Sequence, residues 1–137
     1  MSVRPKTITE LAQLDCRPCK GIPPMDRTEA AKYLAILPDW TLSEDKIEKQ
    51  YRFKTYLDGL SFVNKIGHLA EEQDHHPEIL VGWRRVKLTF TTHSIKGLSE
   101  NDFIMAAKAE NKYRLTTRKP DDLSAKQKRE DRETMSL

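Results

Sequence analysis

Two adjacent histidines, His75 and His76, follow an acidic run in the segment EEQDHHPEIL. The chain contains four histidines, so half of them lie here. An unperturbed imidazole has a pKa of about 6.5, and it can therefore give or take a proton at neutral pH. This segment is the first candidate for a functional site.

A third histidine, His93, comes close to this pair in the expected fold. Pro77 disfavours helical geometry at the residue before it, so the preceding helix should end at or before His76. The sequences EILVGW and RRVKLTFTTH predict two antiparallel strands joined by a short turn. Because the start of the first strand then lies beside the end of the second, His75 and His76 should approach His93.

Three interpretations of this histidine cluster stay open on the residues alone. The histidines could be ordinary polar residues at the ends of elements. They could bind zinc, with Glu71 as an oxygen ligand, although adjacent side chains such as His75 and His76 point apart on most backbones. They could also act as general acid and base. A reaction that removes water needs one group to protonate the departing hydroxyl and another to accept a proton, and it needs no metal.

Polar residues near the cluster also admit structural roles. Glu71 precedes His75 by one helical turn, so it either orients that imidazole or is an exposed acid. Asp102 is expected to pair with Ser99 at the start of the last helix, as in a capping box. Two tryptophans are expected in the core: Trp40 and Trp83.

Cys16 and Cys19 form a C-x-x-C pair in the segment LDCRPCKGIPP. Such a pair can be half of a zinc site or a redox dithiol. A zinc site would need two more ligands at matching spacing, and the chain has no second C-x-x-C. A redox motif normally opens a helix after a strand, whereas this composition predicts a loop. We therefore expect reduced, structurally neutral thiols.

Hydrophobic periodicity predicts the order helix, two strands, helix, two strands, helix. The segments are MDRTEAAKYLAILPDW, WTLSEDKIEKQYRF, TYLDGLSFVNKIGHLAEEQ, the two strands described above, and LSENDFIMAAKAENKYR. Strand pairs joined by short turns indicate an α+β domain, with a four-stranded antiparallel sheet covered on one face by helices. We assign residues 26–117 to this domain, residues 1–25 to an irregular N-terminal arm, and residues 118–137 to a charged, disordered tail.

Composition excludes several classes of protein. The chain has 137 residues, of which 37% are apolar and 33% charged, with a net charge of +3. This is typical of one globular domain. Its 24 basic and 21 acidic residues are mixed along the chain, which argues against a nucleic-acid-binding face. No apolar run reaches the roughly 18 residues of a membrane span, and the N-terminus lacks a signal-peptide core. We expect a cytoplasmic protein.

The motif around the histidines resembles the pterin-4a-carbinolamine dehydratase family. Its residues span 32 positions: Glu71, His75, His76, Pro77, Trp83, His93 and Asp102. The flanking segments LPDW, YRFKTYLDGLSFVNKIGHLAEEQDHHPEI, VKLTFTTHSIKGLSENDFIMA and CRPCKGIPP resemble bacterial members. The resemblance covers roughly residues 14–115.

The resemblance implies a function. Members of the family have an α-β-β-α-β-β-α fold and dehydrate 4a-hydroxytetrahydropterins to quinonoid dihydropterins, which recycles the cofactor of aromatic amino acid hydroxylases. They use no metal or organic cofactor. By resemblance, His75 and His93 would be the acid–base groups on opposite sides of the pterin. His76 would help to bind the pterin and assist catalysis, and Glu71 would orient His75.

The resemblance also implies a pocket and an assembly. The pterin pocket would be formed by these residues: His75, His76, Pro77, Thr92, His93 and Ser94. Ile79 departs from the family, which commonly has an aromatic residue after HHPE, and leaves open the preference for the pterin side chain or the mode of assembly. A homodimer or homotetramer is expected. The alternative function is a non-catalytic binding partner of a transcription regulator, through exposed apolar residues of the central helix.

Overall fold

The computed structural model describes residues 4–117, so the predicted tail lies outside the described residues. The elements are α1 (Ile8–Ala12), α2 (Arg27–Leu34), β1 (Thr41–Ser43), β2 (Lys46–Arg52), α3 (Tyr56–Gln73), β3 (Glu78–Val81), β4 (Arg85–Phe90), a 3-10 helix (His93–Ile95) and α4 (Glu100–Thr117). The predicted α+β class and the predicted order of elements are confirmed, with α1 added in the arm. No helix in residues 4–117 is long and apolar enough to cross a bilayer.

The sheet has the order β1-β2-β4-β3, and every neighbouring pair is antiparallel. Side chains alternate along β4, where Val86, Leu88 and Phe90 are completely buried against the helices. Lys87 and Thr89 lie on the opposite face, which no helix of residues 4–117 covers. The helices therefore cover one face, as predicted, and β4 is a central strand whose end is held in position by its neighbours.

Side-chain caps begin α2 and α3, and the first, Asp26 with Glu29 three residues later, is a capping-box pattern that the sequence itself predicts. Asp26 accepts a hydrogen bond from the backbone N–H of Glu29 at 2.8 Å and starts α2. Thr55 accepts one from the backbone N–H of Asp58 at 3.1 Å and starts α3. Each cap satisfies one of the free N–H groups of a first helical turn. These local signals are readable without knowledge of the tertiary structure.

The end of α3 determines where the histidine pair lies. Asp74 follows the last helical residue, Gln73, and adopts left-handed geometry with φ 52° and ψ 43°. The backbone N–H groups of Asp74 and His75 both donate to the carbonyl of Ala70. This is a C-terminal capping arrangement that satisfies helix carbonyls and turns the chain sharply. The helix therefore ends before His76, as predicted, and His75 lies beyond it.

The N-terminal arm contributes to the core. Leu11 in α1 is completely buried, and α1 packs against α4. Trp40 is buried as predicted, but the same expectation for Trp83 is wrong, because that side chain is 68% exposed. Trp83 lies in the short turn between β3 and β4, beyond the helices, with the Arg84 guanidinium 4.2 Å from its ring centroid. The division between arm and domain at residue 26 stays a prediction.

A largely buried ion pair joins β2 to α4 just past the middle of that helix. Lys49 donates to the carboxylate of Glu110, and the indole N–H of Trp40 donates to the same oxygen at 3.1 Å. Lys49 also donates to the carbonyl of Pro38 at 3.1 Å. Since a buried charge is stable only with such partners, this network fixes the position of α4 across the sheet.

Replacement of Asp74 tests the turn that ends α3. Asp74→Val places a β-branched residue in left-handed geometry and should lower the free energy of unfolding by about 1–2 kcal/mol. Asp74→Gly is the control, because glycine adopts this geometry without a steric penalty. Urea unfolding of both variants measures the difference. Equal stabilities would contradict the view that the left-handed residue directs the chain out of the helix.

Candidate active site

A completely buried carboxylate, that of Asp102, lies at the centre of the candidate site. It accepts hydrogen bonds from His75 Nε2 at 2.6 Å, from the Thr92 hydroxyl at 2.8 Å and from the Ser99 backbone N–H at 3.0 Å. Asp102 also lies in the first turn of α4, where the helix dipole favours a negative charge. Three donors and the helix terminus together offset the cost of burying this acid.

The hydrogen-bond network determines where the protons lie. An ionised carboxylate only accepts, so Thr92 gives its single hydroxyl proton to Asp102, and the Ser99 hydroxyl therefore donates to the Thr92 oxygen at 2.8 Å. By the same argument, Nε2 of His75 carries a proton. In the neutral ring this leaves the lone pair on Nδ1, which makes no hydrogen bond within residues 4–117. His75 is thus oriented to accept a proton at Nδ1.

Packing holds the His75 ring in this orientation. Its side chain is only 10% exposed. The ring lies nearly parallel to that of Phe90, with an interplanar angle of 8° and 6.3 Å between centroids. Phe90 is the last residue of β4 and is completely buried. The imidazole is therefore fixed between a core aromatic ring and a buried acid, which restricts its rotation.

His76 has a different environment. Its side chain is 53% exposed, and its Nε2 lies 3.5 Å from a carboxylate oxygen of Glu71. The expectation that Glu71 orients His75 is therefore corrected, because Glu71 lies beside His76 and Asp102 binds His75. The physical reason is the left-handed residue Asp74, which ends the helical spacing on which the Glu71–His75 pairing depended.

The remaining predicted residues lie on the loop after β4. Thr92 is buried and exchanges backbone hydrogen bonds with Gly97 at 2.9 and 3.4 Å. His93 and Ser94 begin the 3-10 helix and are exposed. His93 was expected at the end of the strand, but β4 ends at Phe90 because the chain turns into the Thr92–Gly97 bridge.

Asp102 brings the two histidine segments together. His75 and Thr92 bind different oxygens of its carboxylate, and their chain neighbours are His76 and His93. The pairing of Glu78 with Thr89 aligns β3 and β4 so that both segments leave the same end of the sheet. Asp102 thus joins the two segments, and the approach of the His93 ring to His75 and His76 stays a prediction. Pro77 is half-buried and lies between His76 and the start of β3.

The described residues form no metal site at the histidines, and the cavity lies elsewhere on the sheet. Within residues 4–117, no three His, Cys, Asp or Glu side chains are arranged to hold a metal ion. An open cavity of about 460 Å³ lies over the uncovered face of the sheet, between Lys46, Lys87 and Leu80. None of the three histidines of the site lines it. The candidate site is therefore the set of polar groups that converge on Asp102, and not this cavity.

Ile79, the departure from the family pattern, is half-buried and packs against the hydrophobic core. It pairs with Leu88 across β3 and β4. Its side chain thus lies on the covered face of the sheet, on the same side as Leu88.

The sequence analysis places Asp102 in the family motif but gives it only a capping role beside Ser99, so it missed the hydrogen bond between Asp102 and His75. The capping interaction is present, since the Ser99 N–H donates to it, but the same carboxylate binds His75. A hydroxyl at Thr92 and an acid at the third position of α4 were the available signals. They become informative only when the register between β3 and β4 brings His75 to them.

Comparisons with known proteins agree on one family. The profile described as Pterin 4 alpha carbinolamine dehydratase matches residues 23–112. Two relatives are both named "Putative pterin-4-alpha-carbinolamine dehydratase". The one from Rubrobacter xylanophilus is 44% identical over 105 residues, covering 75% of this chain and 98% of its own. The one from Aromatoleum aromaticum is 48% identical over 104 residues, covering 74% and 93%.

A solved structure shares the fold. The crystal structure described as a transcriptional coactivator/pterin dehydratase from Brucella melitensis superposes with a TM-score of 0.64 at 29% identity. The superposition covers 66% of this chain and 98% of that one. Residues 1–22 lie outside the match to the family profile.

Replacement of Asp102 tests the central carboxylate. Asp102→Asn substitutes an amide, one side of which donates, so it opposes at least one of the three donors that now converge there. We expect a loss of about 1.5–3 kcal/mol in the free energy of unfolding, the range for hydrogen bonds to charged groups. Urea unfolding measures it.

The control for Asp102→Asn is Ser99→Ala, which removes only the hydroxyl that donates to Thr92. It should cost clearly less than Asp102→Asn. If the two variants are equally stable, Asp102 is not the centre of the network.

Proposed function

The chain belongs to the pterin 4 alpha carbinolamine dehydratase family, and we propose that it dehydrates a 4a-hydroxytetrahydropterin by histidine acid–base catalysis. The enzymes of this family are hydro-lyases. The match of the profile to residues 23–112 includes every residue of the candidate site. The observation that supports the mechanism is the 2.6 Å hydrogen bond between His75 and the buried Asp102.

The reaction breaks one C–O bond and moves two protons. The bond between C4a and the hydroxyl oxygen breaks, and the oxygen leaves as water after it gains a proton. The proton on N5 is lost, and its electron pair forms the double bond between C4a and N5 of the quinonoid dihydropterin. No atom changes oxidation state overall, so one general acid and one general base are sufficient.

The three imidazoles suit these two tasks. His75 accepts the N5 proton at Nδ1, and Asp102 stabilises the imidazolium that forms, as the buried acid of a catalytic triad does. His93 protonates the departing hydroxyl from the other side of the pterin. His76 binds the pterin and assists catalysis, with Glu71 beside it to orient its ring.

The pocket would be shaped by backbone as well as side chains. Thr92 and Pro77 hold the two chain segments that form its sides. Ser94 is exposed at the start of the 3-10 helix, where its hydroxyl and N–H are accessible to a polar ring. A pterin offers a flat ring edged with donors and acceptors, which suits groups arranged in this way.

The protein is also expected to act as a cytoplasmic homodimer or homotetramer, by analogy with the family. Two features support association. β3 is an edge strand of the sheet with Leu80 59% exposed, and Trp83 beside it is 68% exposed. Unpaired edges and exposed apolar side chains are typical of contacts between chains.

Sedimentation equilibrium measures the expected dimer or tetramer, and a monomer at every concentration would contradict it.

The alternative function, binding to a transcription regulator, also has an observation in its favour. Tyr56, Leu57 and Leu60 on α3 are 47%, 65% and 37% exposed, and the Brucella melitensis structure is described as a transcriptional coactivator/pterin dehydratase. These residues begin the helix whose other end leads to the histidines. Such binding would survive replacement of the histidines, so the experiment below separates the two functions.

Turnover of histidine variants tests the mechanism. The rate of loss of 4a-hydroxytetrahydropterin, generated in situ, should be strongly accelerated by the wild type. His75→Ala and His93→Ala should each lower kcat by about 100-fold or more, because a positioned acid or base typically contributes at least this much. His76→Ala should raise KM and lower kcat to a smaller extent.

The matched control is His68→Ala, which removes an exposed imidazole from the middle of α3 and should leave turnover unchanged. Full turnover by both His76→Ala and His93→Ala would show that the histidine mechanism is wrong. No acceleration by a well-folded wild type would favour the binding function.

A further inference from the structure

Residues 15–19 of the N-terminal arm contact both segments that hold the His75–Asp102 pair. These residues contain the C-x-x-C motif, for which the proposed dehydration has no use. They also lie outside the match to the family profile, which begins at residue 23. Their contacts converge on two amide side chains, Gln73 and Asn101.

Gln73 connects the arm to the end of α3. The backbone N–H of Cys16 donates to Gln73 Oε1 at 2.8 Å, and Gln73 Nε2 donates to a carboxylate oxygen of Asp15 at 3.0 Å. Both ends of the amide are thus engaged. Gln73 is the last residue of α3 and lies two positions before His75. A shift of Gln73 would therefore move the turn from which His75 projects.

Asn101 connects the arm to the start of α4. Its Oδ1 accepts from the backbone N–H of Arg17 at 2.9 Å, and its Nδ2 donates to the carbonyl of Arg17 at 2.5 Å and to Cys19 Sγ at 3.0 Å. Asn101 is 7% exposed and immediately precedes Asp102. The Asn101 amide thus both accepts from and donates to the backbone of Arg17, as a paired strand residue does. This pair of hydrogen bonds restricts the Asn101 side chain.

The two cysteines complete this contact. Burial raises the pKa of the Cys16 thiol to about 12, so it keeps its proton at neutral pH. It can then donate to the carbonyl of Asn101, 3.8 Å away. Cys19, in contrast, accepts from Asn101 Nδ2. Both sulfurs are free thiols and contact the same residue, so the motif has a use that needs neither zinc nor a disulfide.

We propose that residues 15–19 form a positioning clasp, which holds the end of α3 against the start of α4 and so keeps His75 on Asp102. The hydrogen bond between His75 and Asp102 joins segments that are 27 residues apart in sequence, and the clasp spans both. The catalytic consequence rests on the proposed function, but the structural part does not. Misplacement of a catalytic group by about 1 Å can cost a hundredfold in rate.

Three variants test the clasp. Gln73→Ala and Asn101→Ala each remove one attachment of the arm. Lys108→Met is the matched control, because Lys108 Nζ donates to the carbonyl of Ala12 at 2.8 Å and also joins the arm to α4. That contact lies more than one helical turn beyond Asp102. A general loss of arm docking would affect all three variants alike, whereas a positioning role would separate the first two from the control.

The first measurement needs no turnover. In protein labelled with ¹⁵N, the Nε2–H proton of His75 should give a downfield signal that is protected from exchange with water by its short bond to Asp102. In Gln73→Ala and Asn101→Ala this signal should shift and exchange at least about 10-fold faster, since the bond opens more often. In Lys108→Met it should match the wild type.

The second measurement is the rate of dehydration. Gln73→Ala and Asn101→Ala should lower kcat by about 10-fold with little change in KM, because the base is misplaced while the pocket persists. An unchanged His75 signal in both variants would overturn the clasp, whatever the activity of the wild type. A changed signal together with an inactive wild type would sustain the clasp and remove the proposed function. If Asn101→Ala does not fold, Gln73→Ala decides the question.

Discussion

The arrangement of this protein depends on one buried negative charge. Asp102 is completely inaccessible to water, and an isolated buried carboxylate would cost several kcal/mol. Its three donors come from the end of α3, the loop after β4 and the start of α4. These three segments must therefore meet at one point in the folded chain. The histidine site is a consequence of that meeting, because His76 and His93 neighbour two of the donors.

The rest of the fold supplies the precision that this meeting requires. The left-handed turn at Asp74 directs His75 out of α3, and the parallel ring of Phe90 limits its rotation. Past the middle of α4, the ion pair of Lys49 with Glu110 fixes the helix across β2. α4 is thus held by polar contacts at its first turn and again at Glu110, so a shift of its first turn would strain both.

Features of the fold that depend on a few neighbouring residues could be predicted from the sequence. Features that depend on tertiary contacts could not. Asp26 with Glu29, the strand alternation around Val86 and the proline after the histidines act over a few residues, and the structure agrees with each. Glu71 was paired with the wrong histidine, because helical spacing was extended past a residue that leaves the helix. Trp83 was placed in the core on its residue type alone, although its short turn lies beyond the helices. The importance of Asp102 depends on the sheet register, which no local pattern contains.

A dehydration needs both a proton donor and a proton acceptor, and the three histidines lie in unequal environments. Imidazoles in identical surroundings would hold their protons equally well, and none would be committed to giving or accepting one. Here His75 is fixed by a buried acid, His76 lies beside an exposed one, and His93 has no ionic or hydrogen-bonded side-chain partner within residues 4–117. Of these three, His75 is the one that hydrogen-bonds a buried acid, which fits the proton-accepting Nδ1 of the proposed mechanism. His93 is exposed, so water can reach its ring, which fits the proton donor of the proposed mechanism.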